Sequence, residues 1–407
     1  MQRAAKPSSF ARRAHTQLRV LIRFLRTDIG IGLSLAVGWQ LFMQLVGTVI
    51  ALRTGSHSFI EASAAHMTHW DAGWYQHILT YAYGPAGNPA TPAFYPLFPL
   101  LIGLVSFLSF GTISYPVASL IINTIALWWA IVALIRILNY FQLPRRSVQI
   151  GVVLFLSFPA AFFMHVMYGE AVFAAIGFWA YLNALQRRWW TVGILLGILT
   201  AARLPAVLFI GLCALEYLRS YDWSIRKAFN PRALWLLLTP VGFLAYGTYL
   251  LIVRHDFFAM FHAYTATSDW TYQVFSPNIL ATISNSFITI TDALFAHHLT
   301  YDILINDFIP LAAIAALIIG AVYCIRHVGA RAIPLGIMGI LAVIMFTLNS
   351  NVVSVHRYIL PCLALYVAGA HWVRHGWRTT VVWTIILCSL LVQLYLFYRF
   401  ITNAFAG

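Results

Sequence analysis

Long apolar stretches dominate this chain and decide most of what it can fold into. Segments near 29–51, 115–137, 233–253, 303–325 and 379–401 are each apolar over about twenty residues, the length an α-helix needs to cross the hydrocarbon core of a bilayer. Charged residues make up 9% of the sequence and hydrophobic residues 61%, whereas an ordinary soluble domain carries about 25% charged residues. A soluble globular fold is thereby excluded. In lipid every backbone N–H and C=O must find its partner inside the protein, so the expected class is an all-α polytopic membrane protein.

The 407 residues carry a net charge of +14, from 25 Lys+Arg and 11 Asp+Glu. A basic excess can serve nucleic acid, but in a chain of spans it marks the cytoplasmic ends of helices, and no nucleic-acid partner is expected. Arg3, Lys6, Arg12, Arg13, Arg19, Arg23 and Arg26 make residues 1–28 a basic cytoplasmic segment able to rest on anionic lipid. No small-residue cleavage site follows, so the first helix is expected to be retained. Cys213, Cys324, Cys362 and Cys388 lie in apolar stretches without metal-ligand spacing and read as small core residues.

Charge then orders the rest into a single membrane domain over 29–401. Residues 53–110 form a first extracytoplasmic loop. Its last part, 94–110, is apolar but short for a span, and it opens with Pro96 and Pro99. If 94–110 lies in the interface, the next span brings Arg145 and Arg146 to the cytoplasmic side; if it crosses, they are exported. The first path is expected. Spans follow at 147–166 and 171–186. An arginine-interrupted pair of short helices over 190–216 surrounds Arg203-Leu204-Pro205, a break tolerated only inside protein or on a cavity. Span 233–253 leads to a large extracytoplasmic loop, 254–301, and spans at 303–325, 332–348, 358–373 and 379–401 complete about eleven crossings. On this path Arg53, Arg203, Arg254, Arg357 and Arg399 are the basic residues outside, and Asp28, Glu216 and Asp222 the acids inside. No internal repeat and no soluble domain is evident.

The unusual polar residues then converge on the outer side, where an ionisable group at membrane depth is a functional candidate. Asp71 sits between Trp70 and the Ala72-Gly73-Trp74-Tyr75 run, with His66, His69 and His77 nearby and a Phe94-Tyr95-Pro96-Leu97-Phe98-Pro99 block beyond. Aromatic rings stack on the apolar faces of sugars and sit well at the bilayer interface, so His69, Trp70, Trp74 and Tyr75 are expected around a substrate. Asp71 can take a proton from an acceptor hydroxyl or cap the helix that starts at Ala72. Glu170, after Tyr168-Gly169, can position a sugar or cap the next helix; Tyr168 belongs to the same candidate site. Arg203 and Arg357 match phosphate oxygens, or else snorkel to headgroups. His356 is a candidate to assist a departing phosphate, and His262, Asp269 and Trp270 to shape an acceptor pocket. The HxxH spacing of His66 and His69 and the adjacent His297 and His298 fall short of the three or four ligands a metal needs, so no metal is expected.

These motifs resemble a known family. WDAGWY followed by AFYPLFPLL resembles the first-loop signature of the PIG-V family, the GPI mannosyltransferase II group and its bacterial relatives. SFPAAFFMHVMYGEAVF, LTAARLPAV, HDFFAMFHAYTATSDW and HRYILP resemble further family segments in the same order, over about residues 30–370. Gly169 and Ala171 stand where the family's "YSES" has serines. The resemblance implies a GT-C-type glycosyltransferase with a catalytic acid and interfacial helices in the first extracytoplasmic loop. It also implies a polyprenyl-phosphate sugar donor, typically mannose, and chemistry without metal or other cofactor.

The expected reaction is a displacement with inversion. Asp71 deprotonates the acceptor hydroxyl as it attacks the anomeric carbon, and the lipid phosphate leaves toward Arg357 and Arg203. The acceptor can be a glycolipid, an envelope polysaccharide or a protein, and the setting a bacterial inner membrane or the topologically equivalent ER membrane. The competing readings are a transporter or flippase of a lipid-linked saccharide, a class built on midplane charges and inverted repeats, and a noncatalytic membrane scaffold.

Overall fold

The computed structural model describes residues 23–84, 88–264, 276, 278–374 and 378–407. The described residues form helices and connecting turns, with no strand among them. In chain order the helices that matter here are α1 (Asp28–Thr54), α2 (Phe59–Ala65), α3 (Asp71–Tyr81), α4 (Leu97–Leu108), α5 (Tyr115–Tyr140), α6 (Arg145–Leu156), α7 (Glu170–Leu185), α8 (Trp189–Leu199) and α9 (Ala206–Ser220). They continue with α10 (Val241–Arg254), α11 (Ile279–Phe295), α12 (Tyr301–Val328), α13 (Ala330–Thr347), α14 (Val355–Ile359), α15 (Leu363–Trp372) and α16 (Arg378–Ile401).

Among these residues six helices are long and apolar enough to cross a membrane: α1, α5, the segment Pro231–Arg254 that ends in α10, α12, α13 and α16. Leu41 and Leu45 on α1, Ile252 on α10, Ile319 on α12, and Leu387 and Leu391 on α16 remain exposed. Lipid tails are as apolar as leucine, so such faces need no protein cover. The chain is an integral membrane protein, and its described residues are all-helical.

Helix α7 lies at the centre, packed against α5, α8 and α9 and buried on every face. Ala171, Ala174, Ala175, Gly177, Ala180 and Ala184 let its neighbours come close. A Cβ at Gly177 would meet the Phe209 ring at 2.4 Å.

Three stretches differ from the sequence expectation. The segment 147–166 is not one helix: α6 stops at Leu156, Pro159 follows, and the chain runs irregularly through a single turn at Ala161–Met164 to Gly169. Non-helical backbone inside an apolar bundle needs other hydrogen-bond partners. Amide and indole side chains from three long helices supply them. The Gln40 amide donates to Met164 O, Asn123 to Val166 O and Tyr168 O, Gln393 to Leu156 O and Phe158 O, and the Trp39 indole N–H also donates to Leu156 O. The segment 358–373 is likewise divided, because Pro361 cannot continue α14 and separates it from α15. Finally, 254–301 is not simply a loop. It contains α11, which turns Thr282, Ser286, Ile290 and Ala293 inward and leaves Leu280, Phe287, Leu294 and Phe295 exposed. Its polar inward face masks the pattern that marks a helix as apolar.

Helix α4 has twelve residues, about 18 Å at 1.5 Å per residue, well short of a hydrocarbon core of about 30 Å. Phe98 and Ile102 pack inward while Leu100, Leu104, Phe107 and Leu108 face out.

Arg254 ends α10 and clasps the chain after α3. It donates from Nε to Tyr83 O (2.6 Å), and from Nη2 to Gly84 O (3.0 Å), Asn88 O (3.1 Å) and Thr91 Oγ1 (3.1 Å). Tyr246 adds a bond to Pro92 O at 2.8 Å. Charged hydrogen bonds contribute roughly 1.5–3 kcal/mol each at most, so Arg254→Ala is expected to free this connection without unfolding the bundle. Amide exchange at residues 83–94 should rise while α5 and α7 stay protected. Unchanged exchange there would show that the clasp holds nothing.

Candidate active site

The two segments that meet at the site both enter it through unusual backbone. Trp70 has φ 57° and ψ −121°, and Ser354 has φ 65° and ψ 2°. Side chains rarely adopt positive φ, and such residues cluster where a site fixes its geometry. Each leads into a charged residue of the cluster: Asp71 opens α3, and Arg357 lies in the first turns of α14.

Asp71 does not cap its helix, since no side chain caps that end. Its Oδ2 instead accepts from Arg357 Nη1 at 2.7 Å, and its backbone N–H donates to the Tyr168 hydroxyl at 3.0 Å. Glu170 opens α7 and likewise leaves that end uncapped. Its Oε1 accepts from both Arg357 Nε and Arg203 Nη1. The order Asp71–Arg357–Glu170–Arg203 therefore alternates in sign. Arg357 and Glu170 are buried, with side chains 4% and 3% exposed, whereas Asp71 is 30% exposed and faces the solvent side. Arg357 lies over the faces of Tyr168 (4.5 Å) and Phe163 (4.8 Å), and Arg203 over Tyr358 (5.4 Å), which restricts both guanidiniums. The two guanidiniums on Oε1 offset the cost of burying the Glu170 charge. Glu170 Oε2 and Arg357 Nη2 are buried without a hydrogen-bond partner, so the cluster is not saturated.

Asp71 and Arg357 open onto a cavity of about 210 Å³, lined also by Tyr75, Arg203, Tyr264, Asn349 and Tyr358. The volume lies below the roughly 300–1,000 Å³ of sites for drug-sized molecules and suits a ring-sized polar group. At Glu170, Arg203, Arg357 and Tyr358 a narrow hollow continues from it. Beyond Pro205 and Tyr358 the walls become apolar, a groove between α9, α13 and α15 lined by Phe173, Phe209, Leu212 and Met338. Charged chemistry and an apolar channel thus adjoin at one place.

The structure brings together Asp71, Glu170, Arg203, Arg357, Tyr75 and Tyr168, residues far apart along the chain. Tyr75 lines the cavity, its phenol kept protonated by burial. Tyr168 lies beneath as support. Trp74 stacks on Phe94, which itself lines the cavity. His69 and Trp70 stand beside it against Phe400 and Phe405. His356 requires correction as a phosphate group: its ring turns away from the cavity, and Nε2 approaches Ala406 O at 3.3 Å. Burial pushes it down to about 4, so it is neutral near pH 7. His262 also lies apart from the cavity lining, paired with Asp256 at 2.7 Å. Asp269 and Trp270 fall outside the described residues.

Tyr358, Asn349, Tyr264 and Phe405 line the cavity without having been singled out from the sequence. Tyr358 was within reach, as the ring following Arg357; nothing local marks the others. Among the described residues no group of three or more His, Cys, Asp or Glu side chains could share a metal ion. Searched against models of known protein families, the sequence matches none, and no curated protein matches it.

Proposed function

We propose that this protein is a glycosyltransferase that moves a sugar, mannose on the PIG-V resemblance, from a polyprenyl-phosphate donor to a hydroxyl of a lipid or glycan acceptor. The observation that carries this reading is the junction of the Asp71–Arg357–Glu170–Arg203 cluster with an apolar groove. A lipid-linked phosphosugar needs both, a cationic centre for phosphate and an apolar bed for its tail.

In this reading the chain has a GT-C-type architecture of about eleven crossings, in which the shorter helices α6 to α9 and α15 count as spans, and the cavity faces away from the cytoplasm of a bacterial inner membrane or its ER equivalent. The acceptor hydroxyl attacks the anomeric carbon, the bond from that carbon to the phosphate oxygen breaks, and the hydroxyl proton passes to Asp71. The lipid phosphate departs toward Arg357 and Arg203, so no general acid is needed for it. A single attack from the opposite face inverts the anomeric centre. Glu170 sets the two guanidiniums in place.

The flippase reading is less well supported, because the charged residues gather beside one small cavity instead of lining a path. Purified protein supplied with labelled polyprenyl-phosphate mannose and extracted native lipids and polysaccharides is expected to form a new glycosidic bond. Movement of the lipid-linked sugar across vesicles without such a bond would refute the proposal.

A further inference from the structure

Two histidines outside the cavity form a contact whose protons can be counted. His66 and His165 are both fully buried. Their rings lie 5.4 Å apart and nearly parallel, both against Phe397. His66 Nδ1 is 2.8 Å from Ala62 O, which only accepts, so that nitrogen carries a proton. The Gln40 amide is oriented by its own bond from Nε2 to Met164 O, so its Oε1 faces His165 Nδ1 at 2.6 Å, and that nitrogen carries a proton too. The remaining nitrogens, the two Nε2 atoms, are 3.1 Å apart. A hydrogen bond at that distance needs one more proton. The four nitrogens then hold three protons, where two neutral imidazoles hold two.

We propose that His66 and His165 share one proton between their Nε2 atoms and act as a cationic clasp that positions Asp71 and Glu170. Each ring stands five residues before one of those carboxylates. The same two segments are joined again by Met167 N–H to Met67 O (3.1 Å) and by Asp71 N–H to the Tyr168 hydroxyl (3.0 Å). Gly47 makes room for the arrangement, since a Cβ there would lie 2.4 Å from His66 Cδ2. Burial opposes charge on either ring, so the added proton is held only by the bond between the two Nε2 atoms, and a second is excluded. His69, in the same segment, is the titratable neighbour whose charge would work against that of His66. Raising the pH past the titration of the pair leaves two lone pairs facing each other and opens the clasp.

The bearing on catalysis rests on the function proposed above; the shared proton does not. Full-length protein labelled with ¹⁵N at histidine is expected to show a through-hydrogen-bond coupling between two imidazole nitrogens near neutral pH, lost when the pH is raised. Absence of the coupling, with the two rings titrating independently, would overturn the shared proton, and this needs no variant to fold. Gly47→Ala keeps all four nitrogens but displaces His66. It is expected to abolish the coupling, raise amide exchange over 66–71 and 165–170, and lower kcat by about 10–10²-fold through misplacement. Unchanged exchange and kcat in a Gly47→Ala protein that has lost the coupling would overturn the positioning role. Wild-type protein that shows the coupling but transfers no sugar would refute the proposed function alone.

Discussion

Asp71→Asn is expected to lose sugar transfer by about 10²–10⁴-fold in kcat, the range for removal of a general base, while folding and binding donor. The substitution suits the question because the amide oxygen can still accept from Arg357 Nη1, 2.7 Å away. The variant therefore removes basicity while keeping the contact. Asp71 is also the most exposed member of the cluster, so the loss of one charge there disturbs the buried part least. The measurements are kcat with labelled donor and the thermal midpoint of the same preparation. A variant that melts like the parent and transfers within a few-fold of it would remove Asp71 from the chemistry.

Glu170→Gln is expected to have the largest effect on stability. One carboxylate oxygen holds two guanidiniums in a buried setting. Neutralising it leaves Arg203 and Arg357 facing each other with only Asp71, at the far side of Arg357, to compensate. Breaking a buried ion pair by removing one partner costs about 3–5 kcal/mol, against about 0–1 kcal/mol for an exposed pair such as Lys227–Asp222 at 3.0 Å. Denaturation of the two variants Glu170→Gln and Asp222→Asn, side by side, separates the cases. Equal midpoints would mean that Glu170 bears no structural load.

The long spans were legible in the sequence because uninterrupted apolar length needs no partner to be recognised: 29–51 and 379–401 became α1 and α16. The cluster was legible as well. Asp71, Glu170, Arg203 and Arg357 are charges in apolar surroundings, and such charges rarely persist without partners. Which partners they take was not legible, since the Asp71–Arg357 contact joins residues 286 positions apart. The break after Leu156 was missed for a definite reason. Hydropathy records how apolar 157–166 is, whereas the helix fails there through Pro159, and the cost is met by Gln40, Asn123 and Gln393 on other helices. Those three amides, isolated in otherwise apolar spans, were the available sign. The direction of His356 depended on the packing of residues 404–407, which no local pattern reveals.

Two acids and two bases in the cluster cancel, and that neutrality imposes an order of events on the proposed reaction. An arriving anion meets cations that already hold carboxylates, so beyond the unpartnered Arg357 Nη2 it is seated by exchange. Arg357 is the member that can make the exchange at the cavity mouth, because its bond to Asp71 is the one reached from solvent. Turning toward a phosphate, it lets go of the Asp71 carboxylate, which is then free to meet the acceptor hydroxyl. The donor would thus arm the base by arriving, and an empty enzyme would hold its reactive oxygen in check against water.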